Sequence, residues 1–283
     1  MIMDHKLKLM VVDDSPLFRT WLIRSLSEDD RFQVVGYAIN AFDAQEKIPQ
    51  LQPDMLTLDI EMPGMSGIDF LKQLLPVHPI PVILVSSLNL RVFDALEAGA
   101  VDFVRKPDEA NGLSKEIFLS MLRSKLMVAA ASHVHLPSAP ADPQAGGIRK
   151  VSSLPPARNT FLQKPKIPLG ASPETVIAIG ASTGGTEAIL EVVKNFPADT
   201  PGVVITQHMP AGFTAMYAER LNRICKMEVR EAKNGDRIRK GLMLLAPGGL
   251  QMRVVPLGNS YAVSVQEGEK VNGHRPSVDV LFD

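Results

Sequence analysis

The sequence predicts an α/β protein of two domains, each built on a parallel sheet. The length of 283 residues exceeds that of most single domains, and short apolar runs alternate with segments of helical period in both halves. The stretch 132–172 is rich in Pro, Ser, Ala and Gly and lacks a sustained period. We therefore expect a first domain at 1–131, a flexible linker at 132–172 and a second domain at 173–283.

Five rounds of strand and helix account for the first domain. The predicted strands are "KLMVV", "FQVVGYA", "DMLTLD", "IPVILVSS" and "VDFVRKP". Segments of helical period separate them, beginning with "SPLFRTWLIRSL". Strands that alternate with helices predict a parallel sheet covered on both faces, and the ligands of such sheets bind at the carboxyl ends of the strands.

The second domain repeats this alternation less regularly. Its predicted strands are "TVIAIG", "GVVITQ", "LMLLAP" and "YAVSV", and its clearest helix is "GGTEAILEVVKNF". The charged run "EVREAKNGDRIRKG" favours a solvated hairpin or turn. We expect a second α/β unit that begins near Pro173.

Composition and charge exclude several classes of protein. The net charge is −1, so the whole molecule has no field that would attract nucleic acid or an anionic membrane. The single cysteine, Cys225, allows no intramolecular disulfide and is typical of a reducing compartment. The N-terminus lacks the core of a signal peptide, and no apolar run reaches the length of a membrane span. These features predict a cytoplasmic protein with no nucleic-acid partner and no membrane insertion.

Three carboxylates follow strands of the first predicted sheet: Asp13 and Asp14 after the first strand and Asp59 after the third. Carboxylates that meet at one sheet edge require a hard cation such as Mg²⁺. Ser86 ends the fourth strand and Lys106 follows the fifth, and a hydroxyl and an ammonium suit a phosphoryl group. The pattern indicates an aspartyl-phosphate site. Each aspartate taken singly also fits a turn or a helix cap.

Residues 8 to about 125 resemble the receiver domain of two-component response regulators. The resemblance implies a flavodoxin-like (βα)5 fold in which Asp59 accepts the phosphoryl group. The Mg²⁺ ligands that it implies are Asp13, Asp14, Asp59 and the backbone carbonyl of Glu61. The residues that it assigns to sensing the phosphoryl group are Ser86, Lys106 and Phe103, the last as the aromatic ring that moves together with Ser86.

Residues 180–184, "GASTG", match G-x-S-x-G between a predicted strand and a predicted helix. This is the context of a nucleophile elbow, in which a tight turn exposes Ser182. The same turn at a helix N-terminus would also hold a phosphate. A dinucleotide site requires G-x-G-x-x-G, but Ser182 stands where the middle glycine would be. The turn alone therefore leaves nucleophile and phosphate site open.

A serine nucleophile requires a base, and only His208 and His274 follow Ser182. His208 ends the strand "GVVITQH", so it would emerge beside Ser182 if the two strands are neighbours. His274 lies in "NGHRPS", where we expect a solvated or capping turn histidine. The helix opened by Gly184 directs its amides toward Ser182, which would favour an oxyanion there. A base at His208 favours hydrolysis over phosphate binding.

The stretches "AIGASTGGTEAI", "VVITQHMPAGFTAMYAERL", "LLAPGG" and "GHRPSVDVLF" resemble the chemotaxis protein-glutamate methylesterase family, CheB. The resemblance implies a doubly wound Rossmann-like domain that hydrolyses glutamate γ-methyl esters and deamidates glutamines on chemotaxis receptors, without a cofactor. It assigns the nucleophile to Ser182, the base to His208 and the oxyanion or substrate site to Thr183 and Gly184. The partners that it implies are methyl-accepting receptors and the histidine kinase CheA, which relieves inhibition by phosphorylating the receiver.

The sequence departs from this family in one respect. The family's catalytic aspartate lies after the "RPSVDVLF" stretch, whereas the sequence stops at Asp283, so we expect a domain that is incomplete at its C-terminus. Asp279 and Asp283 are poor substitutes, since Asp279 lies at a predicted helix start. The alternative is a catalytically impaired module that accepts phosphate and docks on receptors or CheA. A DNA-binding output is disfavoured, because basic and acidic residues balance in 173–283.

Overall fold

The computed structural model describes residues 6–87, 91–108, 113–131 and 175–283, so the predicted linker 132–172 lies outside the described residues. The first domain is a five-stranded parallel sheet in the order β2-β1-β3-β4-β5. Its strands are β1 (Leu7–Val12), β2 (Phe32–Ala38), β3 (Met55–Leu58), β4 (Val82–Ser86) and β5 (Asp102–Arg105). Its helices are α1 (Pro16–Ser27), α2 (Ala41–Leu51), α3 (Gly67–Leu74), α4 (Arg91–Glu97) and α5 (Lys115–Ala130).

The central strands are largely apolar because helices cover both faces of the sheet. Every residue of β3 and β4 is buried. Four of the helices begin at a polar side chain that accepts a hydrogen bond from the backbone of the first turn. These caps are Ser15, Asn40, Ser66 and Ser114. The helices therefore start directly after the loops at the carboxyl edge of the sheet.

The second domain has a four-stranded parallel sheet in the order β6-β7-β9-β8 and a separate antiparallel hairpin. The sheet strands are β6 (Val176–Ala181), β7 (Gly202–Gln207), β8 (Glu228–Glu231) and β9 (Leu242–Leu245), and the hairpin strands are β10 (Gln251–Leu257) and β11 (Ser260–Gln266). The helices are α6 (Gly185–Val193), α7 (Phe213–Ile224) and α8 (Val278–Phe282).

The predicted α/β fold class of parallel sheets is confirmed, and one prediction about an element is wrong. The predicted strand "YAVSV" forms β11, which pairs antiparallel with β10 outside the parallel sheet. The charged run predicted as a hairpin or turn contains β8, which pairs in parallel with β9. An edge strand has one neighbour and accepts charged side chains, so the hydrophobic pattern does not reveal it.

The two domains meet through aromatic side chains and one arginine. Phe103 of β5 packs on Phe213, the first residue of α7, with ring centroids 4.5 Å apart. Phe93 of α4 stacks on Tyr217 at 5.5 Å. Arg220 of α7 binds Glu97 of α4 at 3.3 Å as well as Glu187 of its own domain. One face of the first domain's sheet, with α4, is thereby fixed against the second domain.

Within the described part of the chain, no helix has both the length and the apolarity needed to span a membrane.

Candidate active site

Ser182 and His208 emerge side by side because the strands that precede them are neighbours. β6 pairs in parallel with β7, and Ala181 lies opposite Gln207 at the end of the ladder. Ser182 and His208 are the next residue on each strand. The Oγ atom of Ser182 lies 3.1 Å from Nδ1 of His208, within hydrogen-bonding distance.

Hydrogen bonds to the backbone of Ser182 stabilise the turn that carries this residue. The carbonyl oxygen of Ser182 accepts hydrogen bonds from the backbone N–H of Gly185 and from Nε2 of Gln207, both at 2.8 Å. Gly184 has φ +74°, a conformation that glycine adopts without strain. A Cβ atom at Gly185 would lie 2.2 Å from Oε1 of Gln207. The turn thus depends on a glycine that leaves room for the buried amide of Gln207.

Thr183 and Gly184 lie at the N-terminus of α6. They follow Ser182 directly, and Gly184 is the N-cap of α6. The N-terminus of a helix carries a partial positive charge and unpaired N–H groups. The placement suits the predicted oxyanion role of these two residues, which stays a prediction.

The second ring nitrogen of His208 faces the backbone. Nε2 accepts a hydrogen bond from the N–H of Val278, the first residue of α8, at 3.3 Å. Burial, with help from His274 and Lys125, lowers the pKa of His208 to about 4, while Asp279 acts in the opposite direction. His208 is therefore uncharged near neutral pH, as a general base must be.

His274 is not the solvated or capping turn histidine that the sequence predicted. Its ring stacks on that of His208, with centroids 3.7 Å apart and planes 11° apart. The surrounding turn forms an isolated bridge between Val271 and His274. The cis peptide bond between Arg275 and Pro276 follows directly. The turn returns the chain toward the sheet edge, which brings the second histidine onto the first.

Neither acidic residue considered as a substitute third triad member binds His208. Asp279 accepts hydrogen bonds from Asn272 at 2.9 Å and from Ser277 at 3.4 Å. Asp283 ends α8 and is exposed. Among the residues that the structure describes, no carboxylate hydrogen-bonds to the imidazole of His208.

A cavity of about 400 Å³ opens over Ser182 and His208. The first domain supplies one wall of it through α5. The wall residues from this helix and its approach include Leu113, Ile117, Met121 and Lys125, and the opposite wall includes His274 and Lys270. The cavity over Ser182 therefore lies between the two domains.

The carboxylates predicted for the first domain also converge. Asp13 and Asp59 follow paired residues of the neighbouring strands β1 and β3. Side-chain oxygens of Asp13, Asp14 and Asp59 lie within 4.8 Å of one another. The backbone N–H of Glu61 donates to Asp59 at 3.2 Å, so this loop folds around the site. Three hard oxygen ligands at this spacing fit Mg²⁺.

Lys106 offsets part of the negative charge of this cluster. Its Nζ atom lies 2.9 Å from Asp13 and 2.5 Å from Asp59. Burial raises the pKa of Asp59, although Lys106 opposes the shift. Burial works against the ammonium of Lys106, but Asp59 and Asp13 together raise its pKa. The lysine therefore stays charged and available to an anion.

Ser86 lies at the end of β4, beside Lys106. The backbone N–H of Lys106 donates to the carbonyl of Ser86 at 2.8 Å. The Oγ atom of Ser86 is buried and has no hydrogen-bond partner among the described residues. A buried hydroxyl usually has a partner, so this one suits an incoming phosphoryl oxygen. Phe103 is buried on β5 between Phe93 and Phe213.

The geometry contains an acidic site at one sheet edge and a serine beside a histidine at another. A family model described as response regulator receiver domain matches residues 9–118, and one described as CheB methylesterase matches residues 177–283. These matches define the class of protein, a receiver domain joined to an esterase domain.

Curated relatives identify the family. The chain is 48% identical over 279 residues to protein-glutamate methylesterase/protein-glutamine glutaminase 2 of Syntrophomonas wolfei, covering 99% of this chain and 76% of the relative. It is 42% identical over 283 residues to the Pseudomonas aeruginosa protein of the same name, covering 98% and 75%. The chain belongs to the protein-glutamate methylesterase/protein-glutamine glutaminase family.

Two solved structures match one domain each. The CheB methylesterase catalytic domain of Thermotoga maritima is 31% identical, with a TM-score of 0.37, over 38% of this chain and 57% of that structure. The response regulator domain of Thermotoga maritima CheB is 36% identical, with a TM-score of 0.42, over 45% of this chain and 98% of that structure.

Sequence reasoning missed Gln207 and His274. Gln207 ends a strand that is otherwise apolar or small, and a long polar side chain at a buried position signals a hydrogen-bonding role. His274 carried a simpler signal, since it is one of only two histidines after Ser182. Its distance in sequence from His208 concealed the contact.

Proposed function

We propose that this chain is a phosphorylation-regulated esterase that hydrolyses glutamate γ-methyl esters on chemotaxis receptors, with Ser182 as nucleophile and His208 as base. The names of its relatives supply the reaction. The observation that carries the assignment of residues is the 3.1 Å approach of Ser182 Oγ to His208 Nδ1. The proposal divides the chain into a receiver at 1–131, a linker at 132–172 and the esterase at 173–283.

The first half of the reaction forms an acyl-enzyme. Ser182 Oγ attacks the ester carbonyl carbon, and its proton passes to His208. The carbonyl oxygen becomes an oxyanion that the amides at the start of α6 receive, near Thr183 and Gly184. The bond from carbon to the methoxy oxygen then breaks, and His208 returns the proton so that methanol leaves.

The second half restores the enzyme. Water attacks the acyl carbon and gives a proton to His208, and the bond to Ser182 Oγ breaks as that oxygen takes the proton back. A free glutamate side chain results. The same steps applied to a glutamine side chain release ammonia in place of methanol, which is the glutaminase reaction named for the relatives.

The first domain supplies the regulation in this proposal. An oxygen of Asp59 attacks the phosphorus of a donor, and the bond from phosphorus to the donor breaks, which leaves an acyl phosphate. Mg²⁺ held by Asp13, Asp14, Asp59 and the carbonyl of Glu61 would neutralise charge on the phosphoryl oxygens. Lys106 and Ser86 bind the new group, and Phe103 adjusts with Ser86. A histidine kinase, CheA, is the donor that the family implies.

Methanol release from methylated receptor membranes tests the function. We expect the purified chain to release methanol and the Ser182→Ala variant to lose about 10³-fold or more of that rate. Ser264→Ala, on the hairpin strand β11, is the matched serine control and should retain the wild-type rate. A wild-type chain that releases no methanol but accepts phosphate at Asp59 would instead support the impaired regulatory module.

A further inference from the structure

We infer that His274 is a positioning residue of the esterase site, whose ring fixes the plane of the His208 imidazole and disfavours a positive charge on it. The inference rests on the proposed function for its catalytic consequence. Its structural content is the stack of the two rings, which can be measured without any substrate.

The stack restricts a tilt of the His208 ring that the hydrogen bonds of this ring allow. Those hydrogen bonds, to Ser182 and Val278, lie at the ring edge and permit the plane to tilt about the line between them. A parallel ring at 3.7 Å blocks that tilt on one face. His274 therefore aims Nδ1 at Ser182 without touching the nucleophile.

His274 is itself held firmly enough to serve as a support. Its backbone N–H and carbonyl both pair with Val271, at 3.0 and 3.1 Å. Its carbonyl also accepts a hydrogen bond from Nε2 of Gln251 at 3.2 Å. The ring atom Nδ1 is buried, with no hydrogen-bond partner in the described part of the chain. The backbone anchors this side chain, while ring contact is its main interaction with the site.

The charges around His208 explain why a neutral ring is favoured. Lys125 approaches from α5, and Lys270 and Arg275 line the same cavity from the loop that carries His274. Asp279 on α8 is the acidic group that opposes them. With the ring centroids 3.7 Å apart, a positive charge on one imidazole would repel a positive charge on the other. His274 and Lys125 thus add to the burial that keeps His208 uncharged.

Two substitutions separate ring contact from charge. His274→Phe keeps a flat ring and removes the titratable group, whereas His274→Ala removes both. We expect His274→Ala to lower kcat for methyl ester hydrolysis about tenfold with KM within about twofold, since a misaimed base slows chemistry rather than binding. His274→Phe should retain at least about half of the wild-type kcat, because the ring still supports His208.

The charge effect is read from the titration of His208 by NMR, which needs no activity. Both variants should raise the pKa of His208 by at least about half a unit, and the acid limb of kcat/KM should move to higher pH by the same amount. His78→Phe, in the first domain, is the matched histidine control and should leave both unchanged.

Three results overturn the inference: an unchanged His208 titration in both variants, an unchanged kcat in His274→Ala, or an equal loss of kcat in His274→Phe. A wild-type chain without esterase activity refutes the proposed function alone. In that case, two NMR measurements still decide whether the stack exists. One is the titration of His208. The other compares the ring-current shift of the His208 proton signals between His274→Phe and His274→Ala.

Discussion

The two nitrogens of His208 determine what this residue can do in the conformation described. Nε2 accepts a hydrogen bond from Val278, and a nitrogen that accepts carries no proton. The neutral ring then holds its proton on Nδ1 and donates it to Ser182. A base needs the reverse arrangement, with Nδ1 free to accept from Ser182. The proposed mechanism therefore requires the contact between Val278 and His208 to open.

Removing this amide should speed the reaction. Val278→Pro deletes the N–H, and proline suits the position because Val278 is the first residue of α8 and Ser277 before it is extended. One lost hydrogen bond of ordinary strength corresponds to a rise in kcat of about two- to tenfold. Methanol release measures it.

Val278→Ala is the matched control, because it keeps the amide while removing side-chain packing against Gly180. We expect no rise in kcat from it. Equal rates in the two variants, or a slower Val278→Pro enzyme, would show that the contact does not oppose catalysis.

At the scale of elements, the sequence predicts the parts of the site that lie at strand ends. Asp13, Asp59, Ser182 and His208 each follow a strand, and parallel pairing brings them together by rule. His274 and α5 reach the esterase site by other means, through a turn and through the packing of one domain on another. No local pattern encodes such contacts, so sequence reasoning did not anticipate them. The charged strand β8 was not predicted for a related reason, since pairing rather than apolar periodicity defines it.

The helix α5 deserves a test because it forms one wall of the cavity over Ser182. Ile117→Glu places a carboxylate on that wall and should weaken the packing of α5 over the cavity. Ile117 is three residues after the cap Ser114, where glutamate completes a capping box, so the helix itself should not suffer. We expect methanol release without a phosphodonor to rise about threefold or more, since the partly covered Ile117 side chain would lose apolar contact on that wall worth about 1 kcal/mol.

Val128→Glu provides the comparison, because Val128 lies on α5 but lines a different cavity, near Arg31. The Val128→Glu variant should release methanol without a phosphodonor at the wild-type rate. Equal basal rates in Ile117→Glu and the wild type would mean that α5 does not limit access to Ser182.

At the scale of the whole molecule, β5 connects the acidic site around Asp59 with the site of Ser182 and His208. Lys106, which binds Asp59, lies three residues beyond Phe103, which packs on Phe213. Phe213 begins α7, directly after the loop that starts at His208. A change at Asp59 that moves Lys106 and Ser86 therefore has a short physical path to the base. Arg220 and its two glutamates fix the same interface, so the path ends on a packed surface.

Phosphorylation at Asp59 should thus control ester hydrolysis in the intact chain. We expect a small phosphodonor with Mg²⁺ to stimulate methanol release by the wild type, and Asp59→Asn to bring the ratio of stimulated to unstimulated rate to about 1, because an amide cannot accept the phosphoryl group. Asp94→Asn, on the exposed face of α4, is the matched control and should keep the wild-type ratio. Stimulation that persists in Asp59→Asn would place the phosphate elsewhere and remove β5 from the path. Loss of stimulation in both variants would point to a general weakening of the first domain, which a thermal melt of each variant would reveal.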